Sequence, residues 1–180
     1  QLAWGPLFPW EHDPLKRLAV VDFGDCDIDQ GNPHEIPKQI EAHIDGILEA
    51  GASSISIGGD HFITLPIMRA YAKRHGPLAM VHFDAHSDTW SEDTNRIDHG
   101  TMFYHGVKEG IIDPEHSVQI GIRTHNADHL GIRWLDANWV HENGRQKATE
   151  EAIKIVGDRP AYLTFDIDCL DPAFAPGTGT

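Results

Sequence analysis

The run Leu78-Ala79-Met80-Val81-His82-Phe83 is apolar but for one histidine, and it leads directly into Asp84-Ala85-His86-Ser87-Asp88. A short apolar run of this kind reads as a buried strand. A strand sends alternate side chains to one side. If the extended backbone continues past Phe83, positions 84, 86 and 88 gather two carboxylates and an imidazole in one place. Three such groups at the end of a buried strand need a cation or bound protons to be stable there.

The rest of the chain repeats the arrangement. Ala161-Tyr162-Leu163-Thr164-Phe165 reads as a strand and ends in Asp166 and Asp168. Ser54-Ile55-Ser56-Ile57 reads as another, followed by Gly58-Gly59-Asp60-His61. Leu18–Phe23, Val118–Ile122 and Ile132–Leu135 carry the same composition. Helical spacing separates them. Ile36, Ile40, Ile44, Ile47 and Leu48 form one stripe within Pro33–Ala50, which Gly51 closes. His61–His75, 101–109 and Glu142–Val156 read as further helices. Residues 1–17, with Trp4, Pro6, Pro9, Trp10 and Pro14, read as an irregular packed segment. Strands alternating with helices predict a three-layer α/β/α domain with a central parallel sheet covered on both faces. In such sheets the site lies outside the carboxyl ends of the strands.

Bulk properties narrow the partners. The 180 residues suffice for one α/β domain with a core. A formal net charge of -14 argues against a nucleic-acid partner and suits a small cationic substrate. No apolar run approaches the roughly 18 residues of a membrane span, so no membrane partner is expected. The two cysteines, Cys26 and Cys169, form no framework, which points to a reduced, cytoplasmic setting. Asp25, Asp27 and Asp29 alternate, but the glycine and distal glutamate of a calcium loop are not at the required spacing.

Each candidate group has an ordinary explanation when taken alone. Asp84, His86 and Asp88 could be a solvated loop, Asp166 and Asp168 could cap a strand end, and His61 could satisfy backbone at a helix start. Taken together, four aspartates and two histidines from three strand ends exceed what solvation accounts for. Hard oxygen ligands mixed with imidazole suit manganese(II) better than a closed structural zinc site, which would use cysteines. Two such ions about 3.5 Å apart would ionise a bridging water near neutral pH. His99, in the loop that follows, is of the residue type that most often shuttles a proton to a leaving amine.

Three stretches carry a family resemblance. Gly58-Gly59-Asp60-His61, Asp84-Ala85-His86-Ser87-Asp88 and Thr164-Phe165-Asp166-Ile167-Asp168 resemble the signatures of the ureohydrolase (arginase/agmatinase) family. Residues 170–180 continue the third. The resemblance runs from about Leu2 to Thr180. Asp98-His99-Gly100-Thr101-Met102-Phe103 and Val118–Thr124 are most similar to the bacterial agmatinase branch.

The resemblance implies an arginase-like fold and an enzyme with two manganese(II) ions that hydrolyses a guanidino group through a metal-bridging hydroxide and releases urea. By motif, one ion falls to His61, Asp84, Asp88 and Asp166, and the other to His86, Asp84, Asp166 and Asp168. Asp84 and Asp166 bridge, Asp88 also holds the hydroxide, and His99 matches the shuttle position. Trp90 and the acidic pair Glu92-Asp93 suit a substrate with a distal ammonium, such as agmatine giving putrescine, over one with an α-carboxylate. Arginine and guanidinobutyrate are the alternative substrates. A trimeric or hexameric homo-oligomer is implied as well. The family's first strand and C-terminal third, including a glutamate that pairs with the guanidinium, have no counterpart in residues 1–180. The expectation is therefore a single ureohydrolase domain, truncated at both ends. Two other readings stand beside this one: an inactive metal-binding regulator, and a deacetylase-like hydrolase with one zinc.

Overall fold

A computed structural model describes residues 11–91 and 97–179. Four helices and four strands follow in chain order: α1 (Ile36–Glu49), α2 (Thr64–His75), β1 (Ala79–Phe83), α3 (Met102–Lys108), β2 (Val118–Ile120), β3 (Arg133–Leu135), α4 (Ala137–Val156) and β4 (Ala161–Phe165). The strands form one sheet in the order β3-β2-β1-β4, and every pairing is parallel. Parallel neighbours need crossovers: α3 lies between β1 and β2 and α4 between β3 and β4, while residues 121–132 join β2 to β3 without a helix.

Strand alternation sorts the core into two layers. Met80 of β1 points to one face and packs with Leu65 and Met68 of α2 and Met102 and Phe103 of α3. Val118 and Ile120 of β2 point to the other, against Ala148 and Ala152 of α4, with Val81 and Phe83 alongside. Ile40, Ile44 and Leu48 bury the stripe of α1 against Ile67 and Ala70 of α2. The sheet is thus covered on both faces, as the alternating pattern predicts.

The helices keep their expected places with shifted starts. The predicted 33–50 helix begins as a 3-10 turn over Pro33–Glu35 before α1, and the predicted 61–75 helix as a 3-10 turn over His61–Ile63 before α2. α4 starts earlier than the apolar pattern shows, because Asp136 caps it by accepting from Trp139 N at 2.8 Å. It breaks at Gly144, which holds φ 78° and ψ 165°.

Two expected strands are not paired. Leu18–Phe23 and Ser54–Ile57 have strand composition, but neither makes ladder hydrogen bonds among the described residues. Ile55 is 93% exposed and Ile57 95%. A strand is stabilised by its neighbours' backbone groups, and composition alone does not supply them. The 53–58 segment faces β4 across a cleft of about 850 Å³. The β4 edge on that side is unpaired among the described residues, and Leu163 and Phe165 of β4 are exposed. The expected packing of Trp4, Pro6, Pro9 and Trp10 lies outside the described residues.

Phe103 ties the core to the ground beneath the strand ends. It is fully buried, and its ring lies 4.6 Å from the His82 ring and 5.9 Å from that of His61, both edge-on. Phe103→Ala should lower the unfolding free energy by about 3–5 kcal/mol, read by denaturant titration.

Candidate metal centre

His61 occupies the middle of the site. It opens the turn into α2, where Asp60 accepts from Phe62 N at 3.0 Å and so fixes the entry of the chain. Its Nε2 pairs with Thr164 Oγ1 of β4 at 2.8 Å, and Thr164 in turn meets Thr64 Oγ1 at 3.1 Å. Its Nδ1 points the other way, into three carboxylates. Asp84 Oδ2 lies at 3.0 Å, Asp88 Oδ2 at 3.3 Å and Asp166 Oδ2 at 3.3 Å. Despite this proximity, Nδ1 is buried and has no well-aligned hydrogen-bond partner among the described residues.

The aspartates arrive from the C-terminal ends of β1 and β4, as a parallel sheet predicts. Asp166 N donates to Phe83 O at 2.8 Å, so the two strand ends leave the sheet together. The expected extended run through 84–88 does not occur. His86 N donates to Asp84 Oδ1 at 2.6 Å, which folds the chain into a turn, and Asp88 takes φ 52°. Such a left-handed backbone is uncommon outside glycine, and Asp and Asn tolerate it best. The turn, not strand alternation, gathers these side chains.

Asp168 and His86 form the second half. Asp168 N donates to Asp166 Oδ1 at 3.0 Å, and Asp168 Oδ1 accepts from Ala85 N at 3.0 Å. Asp168 Oδ2 lies 2.9 Å from His86 Nδ1, and Asp84 Oδ1 lies 3.4 Å from the same atom. Asp84 therefore faces both halves. Arg123 closes the floor, donating to Asp168 O at 2.6 Å and Leu170 O at 3.2 Å. Gly121, at φ 96°, lets β2 pass close beneath: a Cβ there would sit 3.2 Å from Asp84 O.

The electrostatics follow from this crowding. Burial disfavours a charged His61, yet Asp166, Asp84 and Asp88 outweigh it and push the imidazole up to about 11. Burial also works against a charged Asp84, but the adjacent His61 and the hydrogen bond with His82 hold it well below the usual carboxylate range. Asp88 is raised, by burial first and by the charge of Asp84. Asp166 is lowered, chiefly by His61. Asp168 is pushed up to about 6 by burial and the nearby Asp84. The centre is short of positive charge and binds protons in default of anything else. An imidazole nitrogen aimed at three carboxylates is, once deprotonated, the donor set of a divalent cation site, and the residues fit one. Among the described residues, two groups have potential ligand atoms all within 4.8 Å of one another, one formed by His61, His82, Asp84 and Asp88 and the other by Asp84, His86 and Asp168.

Of the residues singled out from the sequence, His61, Asp84, His86, Asp88, Asp166 and Asp168 converge here. His99 stands at the rim, largely exposed, with its Nδ1 3.3 Å from Asp60 Oδ1. Trp90 is half-buried and donates its backbone N–H to Gly100 O at 2.9 Å. Glu92 and Asp93 lie outside the described residues. The sequence reading passed over His82, Gln119 and Thr164, all buried directly under the centre. For His82 the signal was present: it stands two residues before Asp84, on the same side of the strand.

A sheet with potential metal ligands gathered at its strand ends defines a class of α/β proteins suited to a metal centre, and comparison with known proteins narrows the class. The arginase family model matches residues 2–180. An agmatinase of Chromobacterium violaceum is 53% identical, over 100% of this chain and 56% of its own length. An agmatinase of Proteus mirabilis is 52% identical, over 99% of this chain and 58% of its own. The crystal structure of a hypothetical agmatinase from Burkholderia thailandensis superposes with a TM-score of 0.95 at 55% identity, covering 98% of this chain and 56% of that one. The proclavaminate amidino hydrolase of Streptomyces clavuligerus gives a TM-score of 0.89 at 39% identity, covering 99% of this chain and 62% of that one. This chain belongs to the arginase family. It spans 56–58% of the length of these agmatinase relatives.

A ligand carboxyl must be ionised to bind metal. His61 must lose its proton throughout this range, which costs about tenfold in divalent-cation affinity per pH unit, and Asp168, pushed up to about 6, should add a further fall of about tenfold per unit below that point. Metal titrations from pH 5 to 8 read this. A slope that does not steepen below about pH 6 would count against Asp168 as a ligand.

Proposed function

We propose that the full-length protein is a manganese-dependent hydrolase of a guanidino compound, with agmatine the favoured substrate and putrescine and urea the products. The observation that carries this reading is His61 Nδ1, a buried ring nitrogen facing three carboxylates at 3.0–3.3 Å. The second group, Asp84, His86 and Asp168, supports a pair of ions over the single zinc of a deacetylase-like site.

The roles follow from position. His61, Asp84, Asp88 and Asp166 would hold one manganese ion, and His86, Asp84, Asp166 and Asp168 the other, with Asp84 and Asp166 shared. Bound there, the pair of ions supplies a nucleophile by lowering the pKa of water toward neutrality. Asp88 faces the same centre as His61 and is suited to accept a hydrogen bond from that nucleophile. His99, exposed at the rim beside Asp60, can carry a proton from solvent to the departing amine. The reaction breaks one guanidino C–N bond, and the proton on the amine product must come from such a group. The net charge of -14 favours the approach of a cationic substrate.

Agmatine is preferred over arginine as substrate because the agmatinase relatives are the similar ones at 52–53% identity. The same reading carries a cytoplasmic homo-oligomer, which light scattering of the full-length protein would measure.

The test is urea release by the manganese-loaded, full-length protein, with agmatine, arginine and guanidinobutyrate run in parallel. Agmatine should give the highest kcat/KM. Absence of urea from every guanidino compound, with two ions bound, would sink the proposal. His99→Asn should lower kcat by about 10²–10⁴-fold and leave metal content unchanged. Asp166→Asn should reduce the number of ions held per chain, measured by elemental analysis.

A further inference from the structure

One row of side chains crosses the sheet a single layer below the metal centre. Gln119 of β2, His82 of β1 and Thr164 of β4 are register partners. All three are buried, Gln119 and His82 completely. Thr164 serves His61, as described above. The other two form a chain of their own. His82 Nε2 lies 2.8 Å from Asp84 Oδ2, and His82 Nδ1 lies 3.0 Å from Gln119 Nε2. Gln119 Nε2 also donates to Ser87 O at 2.6 Å.

Distance alone leaves His82 open as a ligand, since one of its ring nitrogens lies within 4.8 Å of potential ligand atoms of His61, Asp84 and Asp88. Hydrogen-bond polarity decides otherwise. Ser87 O is a backbone carbonyl and can only accept. An amide oxygen of Gln119 in the place of Nε2 would sit 2.6 Å from it with no proton between, so the amide nitrogen must face Ser87. That nitrogen is a donor only, and the same –NH₂ faces His82 Nδ1. Nδ1 is therefore the acceptor, and the ring proton lies on Nε2. A nitrogen that carries a proton has no lone pair for a metal. It has an N–H to give, and Asp84 Oδ2 is there to take it.

We propose that His82 is a positioning residue, oriented by Gln119, whose Nε2–H holds Asp84 in the geometry that both metal sites share. This rests on the metal-centre reading above. Asp84 Oδ2 also lies 3.0 Å from His61 Nδ1, so the His82 hydrogen bond fixes the oxygen that faces the first ion. The relay starts at Ser87 O, in the same turn that carries Asp84, His86 and Asp88. The turn thus sets the orientation of the group that steadies its own first carboxylate. The exposed amide oxygen of a surface glutamine would find water. Here Gln119 Oε1 is buried with no partner among the described residues, a cost borne so that the nitrogen can face Ser87 and His82.

Two measurements test this on the full-length protein. Histidine-ring ¹⁵N NMR of the metal-free wild type should show His82 protonated on Nε2, with Nδ1 bearing the lone pair. A proton on Nδ1 overturns the proposal, whatever the protein's activity. Manganese(II) titration, with free ion read by EPR, should show His82→Phe binding at least one ion about 10–100-fold more weakly while still saturating at two per chain. His82→Gln, whose carboxamide can donate to Asp84, should recover most of that loss. Gln119→Met should weaken binding in the same direction. Wild-type affinity in His82→Phe overturns the proposal. So does saturation at one ion in both His82 variants, which would make His82 a ligand. A wild type that binds two ions and releases no urea would instead overturn the proposed function and leave the role of His82 standing.

Discussion

His61 Nδ1 lies within 3.3 Å of three carboxylate oxygens, and charge gathered that closely in a largely buried place needs a positive partner. Without a metal the partner is a proton on His61, which explains why that imidazole is pushed up to about 11 against the effect of burial. In the proposed metal-bound form the same ring nitrogen and the same oxygens would become ligands. On that reading the site would be held together in two ionic forms. The exchange between them ties metal uptake to proton release.

The sheet makes this concentration of charge possible. Phe83 and Asp166 leave β1 and β4 side by side, and the chain then turns sharply at Asp84–Asp88 and at Ile167–Cys169. Backbone N–H groups at 85, 86 and 168 all donate to aspartates of the centre. These bonds orient the carboxylates before any ion arrives, and Arg123 locks the outer turn by its contacts with backbone carbonyls. One layer down, a histidine, a glutamine and a threonine occupy sheet positions that would ordinarily be apolar. The core accepts them because each finds partners, the glutamine oxygen excepted.

Much of this was legible in the sequence, for reasons that differ by element. β1 and β4 were readable because short apolar runs ended in acidic pairs, and α1 because five apolar residues kept helical spacing. The six convergent residues were readable because their types are costly to group without a cation. The means of convergence was not. An extended run through 84–88 was the natural guess, and the actual turn depends on a hydrogen bond from His86 N to Asp84 and on a left-handed Asp88, which no periodicity reports. Leu18–Phe23 and Ser54–Ile57 misled for a different reason. Composition reports that a segment suits a sheet, and pairing depends on which neighbours are present. His82 was read simply as part of a strand, since a lone histidine in an apolar run does not disclose what its ring nitrogens touch.

The backbone at Asp88 narrows what evolution can do with that position. A φ of 52° favours glycine, asparagine and aspartate over other residues. Of these three, only aspartate brings a negative charge to face His61. Glutamate keeps the charge but adds a methylene and loses the tolerance for that conformation, while asparagine keeps the conformation and loses the charge. Chain geometry and coordination chemistry thus select the same amino acid independently. A lineage that abandoned the chemistry would still be expected to retain asparagine or glycine there, as a fossil of the turn.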